Sequence, residues 1–172
     1  MFGGLYFRDA LQTVVPMPKF AANLSFLFTE VPFPERFRQA AAAGFTGVEY
    51  LFPYEYPASE IAGWLRDNNL EQVLFNLSAG DWAGGERGLA CLPHRQGEFA
   101  ESVEQALDYA MVLDCERVHC LAGLRPAGDG EAELEATYEE ALGWVDQKMS
   151  ELIEQAKSNG VALPSDEEDP LF

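Results

Sequence analysis

Asn23, Glu49, Asn76 and His119 each fall within or at the end of a short apolar run in this 172-residue chain. Amide, carboxylate and imidazole groups can hold substrate oxygens or move protons once they are brought together. Their plainer readings are structural: a carboxylate bonded to backbone, a satisfied core histidine, two amides that tie loops. Asp81 and Arg87 lie in a Gly-rich stretch, residues 78–93, that also carries Glu86. Arginine there suits a carboxylate, because its planar fork pairs both oxygens. A loop of that length is often functional and can close over a site to exclude water. A surface ion pair between Arg87 and Glu86 is the simpler reading. His94 is expected to be exposed. Spacing alone yields no pair of catalytic carboxylates, no nucleophile–base set and no metal-ligand cluster. Gly84 and Gly85 are not a dinucleotide fingerprint, since no helix opens directly behind them. No catalytic residue and no metal ligand is therefore assigned from spacing.

The elements that must position these groups alternate. Residues 19–24 read as a strand, and Pro32 and Pro34 open a helix whose buried face is Phe33, Phe37, Ala40 and Ala41. Gly44 stops that helix as a left-handed cap. Residues 46–52 form a second strand. Residues 59–68 form a helix with Ile61, Trp64 and Leu65 inward and Ser59 as its cap. Residues 71–76 are a third strand. A helix follows over 96–113, with Phe99, Val103, Ala106, Leu107, Ala110 and Met111 at helical spacing. Residues 117–121 are a fourth strand. Short, continuously apolar strands alternating with helices predict a parallel sheet. The expected class is α/β: a partial (β/α) barrel of about four parallel strands, with its chemistry at the carboxyl ends. Asn23, Glu49, Asn76 and His119 sit there.

A long amphipathic helix is expected over 131–158, with Leu134, Tyr138, Ala141, Val145, Met149, Leu152 and Ala156 as one apolar stripe. Val161 to Leu163 could begin a fifth strand, and residues 164–172 form an acidic tail. The formal charge is −18, with net −3 over residues 1–97 and −15 over 98–172. That balance argues against nucleic acid, which needs clustered Lys and Arg. No run approaches a membrane span, and residues 1–16 do not read as a secretory signal. Cys91, Cys115 and Cys120 are too few and too irregular for a disulfide framework. They predict buried thiols in a reduced, cytoplasmic protein.

Several segments together resemble one known family. Lys19-Phe20-Ala21-Ala22-Asn23-Leu24-Ser25, then Phe28-Thr29-Glu30-Val31-Pro32-Phe33, then Ala42-Ala43-Gly44-Phe45 and Val48-Glu49 are similar to the hydroxypyruvate isomerases, a group that includes the 2-oxo-tetronate isomerases. The likeness continues through Phe52-Pro53-Tyr54, Val73-Leu74-Phe75-Asn76 and Gly80-Asp81-Trp82. It runs on through Gly85-Glu86-Arg87-Gly88, Leu92-Pro93, Arg95, Val118-His119, Ala122-Gly123 and Pro126-Ala127-Gly128. It covers residues 17–130 and leaves 1–16 outside. Ser78-Ala79 and His94 depart from the family pattern.

The resemblance implies a xylose isomerase-like barrel that interconverts hydroxypyruvate and tartronate semialdehyde through a metal-stabilised enediolate. It implies magnesium or manganese for the full-length family. It places the two catalytic glutamates on the fifth and eighth strands and the metal ligands in the second half of the barrel. On this reading the chain is the amino-terminal half of such an isomerase, truncated and without the base, and does not hold the metal alone. Pocket candidates are Asn23, Glu49, Asn76, Asp81, Arg87 and His119, and the partner is a small hydroxy-oxo acid. Open sheet edges would let two half-barrels pair as a homodimer. A four-carbon 2-oxo-tetronate substrate is the alternative within the family. A non-catalytic protein using the acidic helix to bind a partner is the alternative outside it. A DNA-repair endonuclease shares the barrel and is disfavoured by charge.

Overall fold

The computed structural model describes residues 18–124 and scattered positions between 135 and 158. Four strands alternate with three helices: β1 (Ala21–Asn23), α1 (Phe33–Ala42), β2 (Gly47–Glu49), α2 (Ala58–Asn68), β3 (Glu71–Asn76), α3 (Gln96–Leu113) and β4 (Val118–His119). A short 3-10 turn, Pro93–Arg95, precedes α3. All neighbouring strands are parallel, in the order β1-β2-β3-β4. A strand order that never reverses is that of a barrel wall, not of a doubly wound sheet. The expected half-barrel is what forms, with strands shorter than the apolar runs suggested.

Local chemistry sets the helix limits. Pro32 and Pro34 preset the first turn of α1. Gly44 ends it at φ +90°, with Gly44 N–H donating to Ala41 O and Phe45 N–H to Ala40 O, the paired bonds of a Schellman cap. The start of α2 corrects the expectation for Ser59. Pro57 is the residue before the helix, no side chain caps it, and the Pro57 carbonyl accepts from Glu60 and Ile61. The preset φ of proline replaces the hydroxyl. Asn69 and Asp114 end α2 and α3 in the left-handed region.

The helices cover one sheet face. Ala22, Leu24, Val48, Tyr50 and Phe75 are at most 2% exposed there and pack with Phe37, Ala40, Ile61, Leu65, Phe99, Val103 and Ala106. Phe33, Phe37, Tyr50 and Trp64 form a web of edge-on and tilted rings 5.2–6.3 Å apart. Two expected core positions fail: Met111 is 68% exposed, and Cys120 is exposed while Cys91 and Cys115 are buried. Met111 lies near the end of α3, and Cys120 just past the two-residue β4. The apolar stripe expected over 131–158, the start of a fifth strand, the tail and residues 1–16 lie outside the described residues. Described positions such as Glu135, Glu139, Asp146 and Glu154 are helical and exposed.

Tyr50 carries an unusual polar group into this core. Its hydroxyl has no hydrogen-bond partner among the described residues, and burial pushes the phenol upward. Tyr50→Phe removes an unpaired oxygen at unchanged ring packing. It is expected to raise stability by about 1 kcal/mol, read as a higher urea midpoint at unchanged slope.

Candidate active site at the carboxyl ends of the strands

Each of the four singled-out groups is the last residue of its strand: Asn23 of β1, Glu49 of β2, Asn76 of β3 and His119 of β4. A β-bulge makes them one row. Val48 faces Gln72, but Glu49 faces Leu74, so β3 carries one extra residue, Val73. A one-residue shift reverses which face every later side chain takes. Beyond the bulge Phe75 turns to the helices, where it is fully buried. Asn76 turns to the face that bears Glu49. Gly47 makes room: a Cβ there would stand 2.8 Å from Val73 Cγ2.

Asn23 Nδ2 donates to Glu49 Oε1 at 2.9 Å, and Asn23 Oδ1 accepts from Ser25 N–H at 3.0 Å. Ser25 Oγ in turn accepts from Leu51 N–H at 2.9 Å. One Glu49 oxygen is thereby fixed and the other kept as an acceptor. Next along the sheet, His119 Nδ1 lies 3.3 Å from Asn76 Oδ1. With Nδ1 protonated toward that oxygen, a neutral ring presents a lone pair on Nε2. Tyr54 anchors the strand end by donating its hydroxyl to Asn76 O at 2.7 Å. Asn76 is 6% exposed, whereas His119 is exposed and is not a core histidine. His94 is exposed as expected.

The Gly-rich loop leaves β3 and crosses this end of the sheet. Gly88 makes an antiparallel bridge with Ala122, and Cys91 N–H donates to Ala122 O at 2.8 Å, both just past β4. Trp82 sets its ring edge-on to Phe52, just past β2, with centroids 5.2 Å apart. Asp81 is exposed and its Oδ1 accepts from Gly84 N–H at 2.7 Å, a turn-forming contact. The Glu86–Arg87 ion pair, the alternative to a substrate role for Arg87, does not form among the described residues. Glu86 is held by Arg95 and by Asp81 N–H, and the Arg95 side chain is the first cause that keeps its carboxyl below the usual range. Arg95 also bonds Glu98 through Nε at 2.8 Å. Arg87 instead lays its guanidinium on the Trp82 ring, 4.0 Å from the centroid.

Ser25, Tyr54 and Arg95 fell within the segments that carry the resemblance but were given no place in the site. Arg95 left a local signal as well, its three-residue spacing from Glu98. The described residues do not fit a divalent-metal site on their own. Glu49 is the one carboxylate in the row and is already bonded to Asn23, and no group of three or more His, Cys, Asp or Glu able to hold a metal occurs among them.

Parallel strands in unbroken order, with a polar side chain at every carboxyl end, define a β/α-barrel protein. A family model described as xylose isomerase-like TIM barrel matches residues 37–163, and the chain belongs to that family. It is 48% identical over 134 residues to a 2-oxo-tetronate isomerase of Pectobacterium atrosepticum, covering 78% of this chain and 51% of that protein. It is 48% identical over 126 residues to the hydroxypyruvate isomerase of Escherichia coli, covering 73% and 49%. A crystal structure titled AP endonuclease, family 2, from Brucella melitensis matches with a TM-score of 0.74 at 50% identity, covering 78% of this chain and 52% of that one. The chain spans about half the length of the curated relatives it matches. No helix among the described residues is long and apolar enough to cross a membrane.

Proposed function

We propose that this chain forms the substrate-orienting half of an isomerase acting on a small hydroxy-oxo acid. The reaction class moves a proton from the hydroxymethyl carbon of hydroxypyruvate to the neighbouring carbonyl carbon, giving tartronate semialdehyde. The observation that carries the reading is the row of Asn23, Glu49, Asn76 and His119, each ending its own strand. The amides of Asn23 and Asn76 suit substrate oxygens. The free Glu49 oxygen accepts from a substrate hydroxyl, and His119 Nε2 can take or return a proton at oxygen. The two amide donors favour the enediolate over the ketone, because charge develops on oxygen only as the carbon proton leaves. The carbon protons themselves, and the magnesium or manganese of this reading, belong to groups outside the described residues.

The 2-oxo-tetronate isomerase relative supports a four-carbon acid as the alternative. The endonuclease title of the Brucella protein supports a nucleic-acid reading. A formal charge of −18 opposes a polyanionic phosphate backbone far more than a single carboxylate.

The test is a graft. Residues 18–124 replace the aligned segment of the Escherichia coli hydroxypyruvate isomerase, and tartronate semialdehyde is followed by NMR. The graft is expected to isomerise hydroxypyruvate, and Asn76→Leu within it to lower kcat/KM by roughly 10- to 100-fold, the worth of one hydrogen bond to developing charge. A folded graft without isomerase activity, or one indifferent to Asn76→Leu, overturns the reading. Cleavage at abasic sites in its place establishes the nucleic-acid alternative.

A further inference from the structure

A chain with a charge of −18 that takes an anionic substrate needs a local cation with no carboxylate of its own. Arg87 meets that condition by construction. Its Nη1 donates to two backbone carbonyls, Trp82 O at 3.1 Å and Glu86 O at 2.6 Å. Its plane rests on the Trp82 indole. Those contacts fix the guanidinium in position and orientation while using one of its three nitrogens. The side chain is exposed, and no acceptor among the described residues takes the Nε–Nη2 edge. That edge offers two parallel N–H donors, the geometry that grips a carboxylate through both oxygens.

The neighbouring carboxylates are committed elsewhere. Glu86, adjacent in sequence, is turned away to Arg95 and to Asp81 N–H. Asp81 accepts from Gly84 N–H. Arg95 thus does indirect work: by holding Glu86 it leaves Arg87 without an internal counter-ion. The loop that carries Arg87 is tied on both flanks of β3, to Phe52 past β2 and to Ala122 past β4. The loop that carries this cation therefore spans the strand ends on either side of Asn76, with His119 ending the strand beside it.

We propose that Arg87 is the carboxylate anchor of this site, the residue that selects an oxo acid over the corresponding neutral ketose. The identity of the acid rests on the isomerase reading above, whereas the anchor itself rests on the geometry of the loop. Arg95 is a positioning residue that acts through Glu86.

The test uses the full chain and two probes that differ only at the end the anchor would hold. Hydroxypyruvate has a carboxylate where dihydroxyacetone has a hydroxymethyl group. The readouts are calorimetric affinity and the Nε–H NMR resonance of Arg87. Hydroxypyruvate is expected to bind roughly 10- to 100-fold more tightly than dihydroxyacetone and to shift that resonance. Arg87→Met should erase the preference, bringing the affinity for hydroxypyruvate down to that for dihydroxyacetone. Arg95→Met should weaken hydroxypyruvate binding by freeing Glu86 to pair with Arg87, and adding Glu86→Gln should restore it. Restoration separates this role from mere support of the loop.

If hydroxypyruvate binds and Arg87→Met leaves the preference intact, the anchor fails and the isomerase reading stands. If hydroxypyruvate is bound no better than acetate, while both shift the Arg87 resonance and Arg87→Met abolishes both, the anchor stands and the choice of acid fails. If neither carboxylate shifts the resonance, the anchor is overturned.

Discussion

Phe37→Ala is expected to lower the unfolding free energy by about 3–5 kcal/mol, the usual cost of truncating a fully enclosed phenylalanine. Phe37 is completely buried and sits among the rings of Phe33, Tyr50 and Trp64, at 5.4, 6.0 and 5.5 Å between centroids. Ring contacts of this geometry each add about 0.5–1.5 kcal/mol beyond area burial. The whole fold of a domain this size rests on about 5–15 kcal/mol, so one substitution removes much of the margin. Because α1 and α2 are joined to β2 through this web, loss of near-ultraviolet ring signals should accompany the lower denaturant midpoint. A loss of unfolding free energy below about 1 kcal/mol would mean that the cavity collapses or fills, against the close packing of the core.

Gly88→Ala is expected to detach the loop from β4. Gly88 has φ +124°, and a Cβ there would collide with the Leu121 carbonyl oxygen and stand 2.8 Å from Gly123 N. The backbone conformation alone costs a side-chain-bearing residue about 1–3 kcal/mol. The collision is with backbone, which cannot swing aside, so the Gly88–Ala122 bridge must open. Gly85 is the control. It has φ +102° but nothing within 4 Å of a Cβ, so Gly85→Ala carries the conformational cost without the clash. Hydrogen exchange at Cys91, whose N–H donates to Ala122 O, should quicken strongly in Gly88→Ala and little in Gly85→Ala. Equal exchange in the two variants would show that the bridge does not hold the loop.

Much of this architecture was legible in short stretches of chain. The α3 boundaries and the whole of β3 follow from helical spacing and an apolar run, which are local properties. The Gly44 cap is equally local, since it depends on one residue that adopts a positive φ easily. Ser59 misled because two starts for α2 lay within two residues of each other, and the proline prevailed. Met111 misled because helical spacing marks a face without telling how much of the helix that face stays covered.

The site divides along the same line. That Asn23, Glu49, Asn76 and His119 would close four consecutive strands was a matter of element order, which the chain itself dictates. That Asn76 stands on the same face as Glu49 was decided by the extra residue at Val73, because counting in twos along β3 from its first contacts with β2 would have turned Asn76 to the helices and Phe75 to the mouth. The pairing of Glu86 with Arg95 in place of its neighbour Arg87 was likewise a choice among partners. Register and partner choice arise where segments distant in sequence meet, and no local pattern in either segment carries that information.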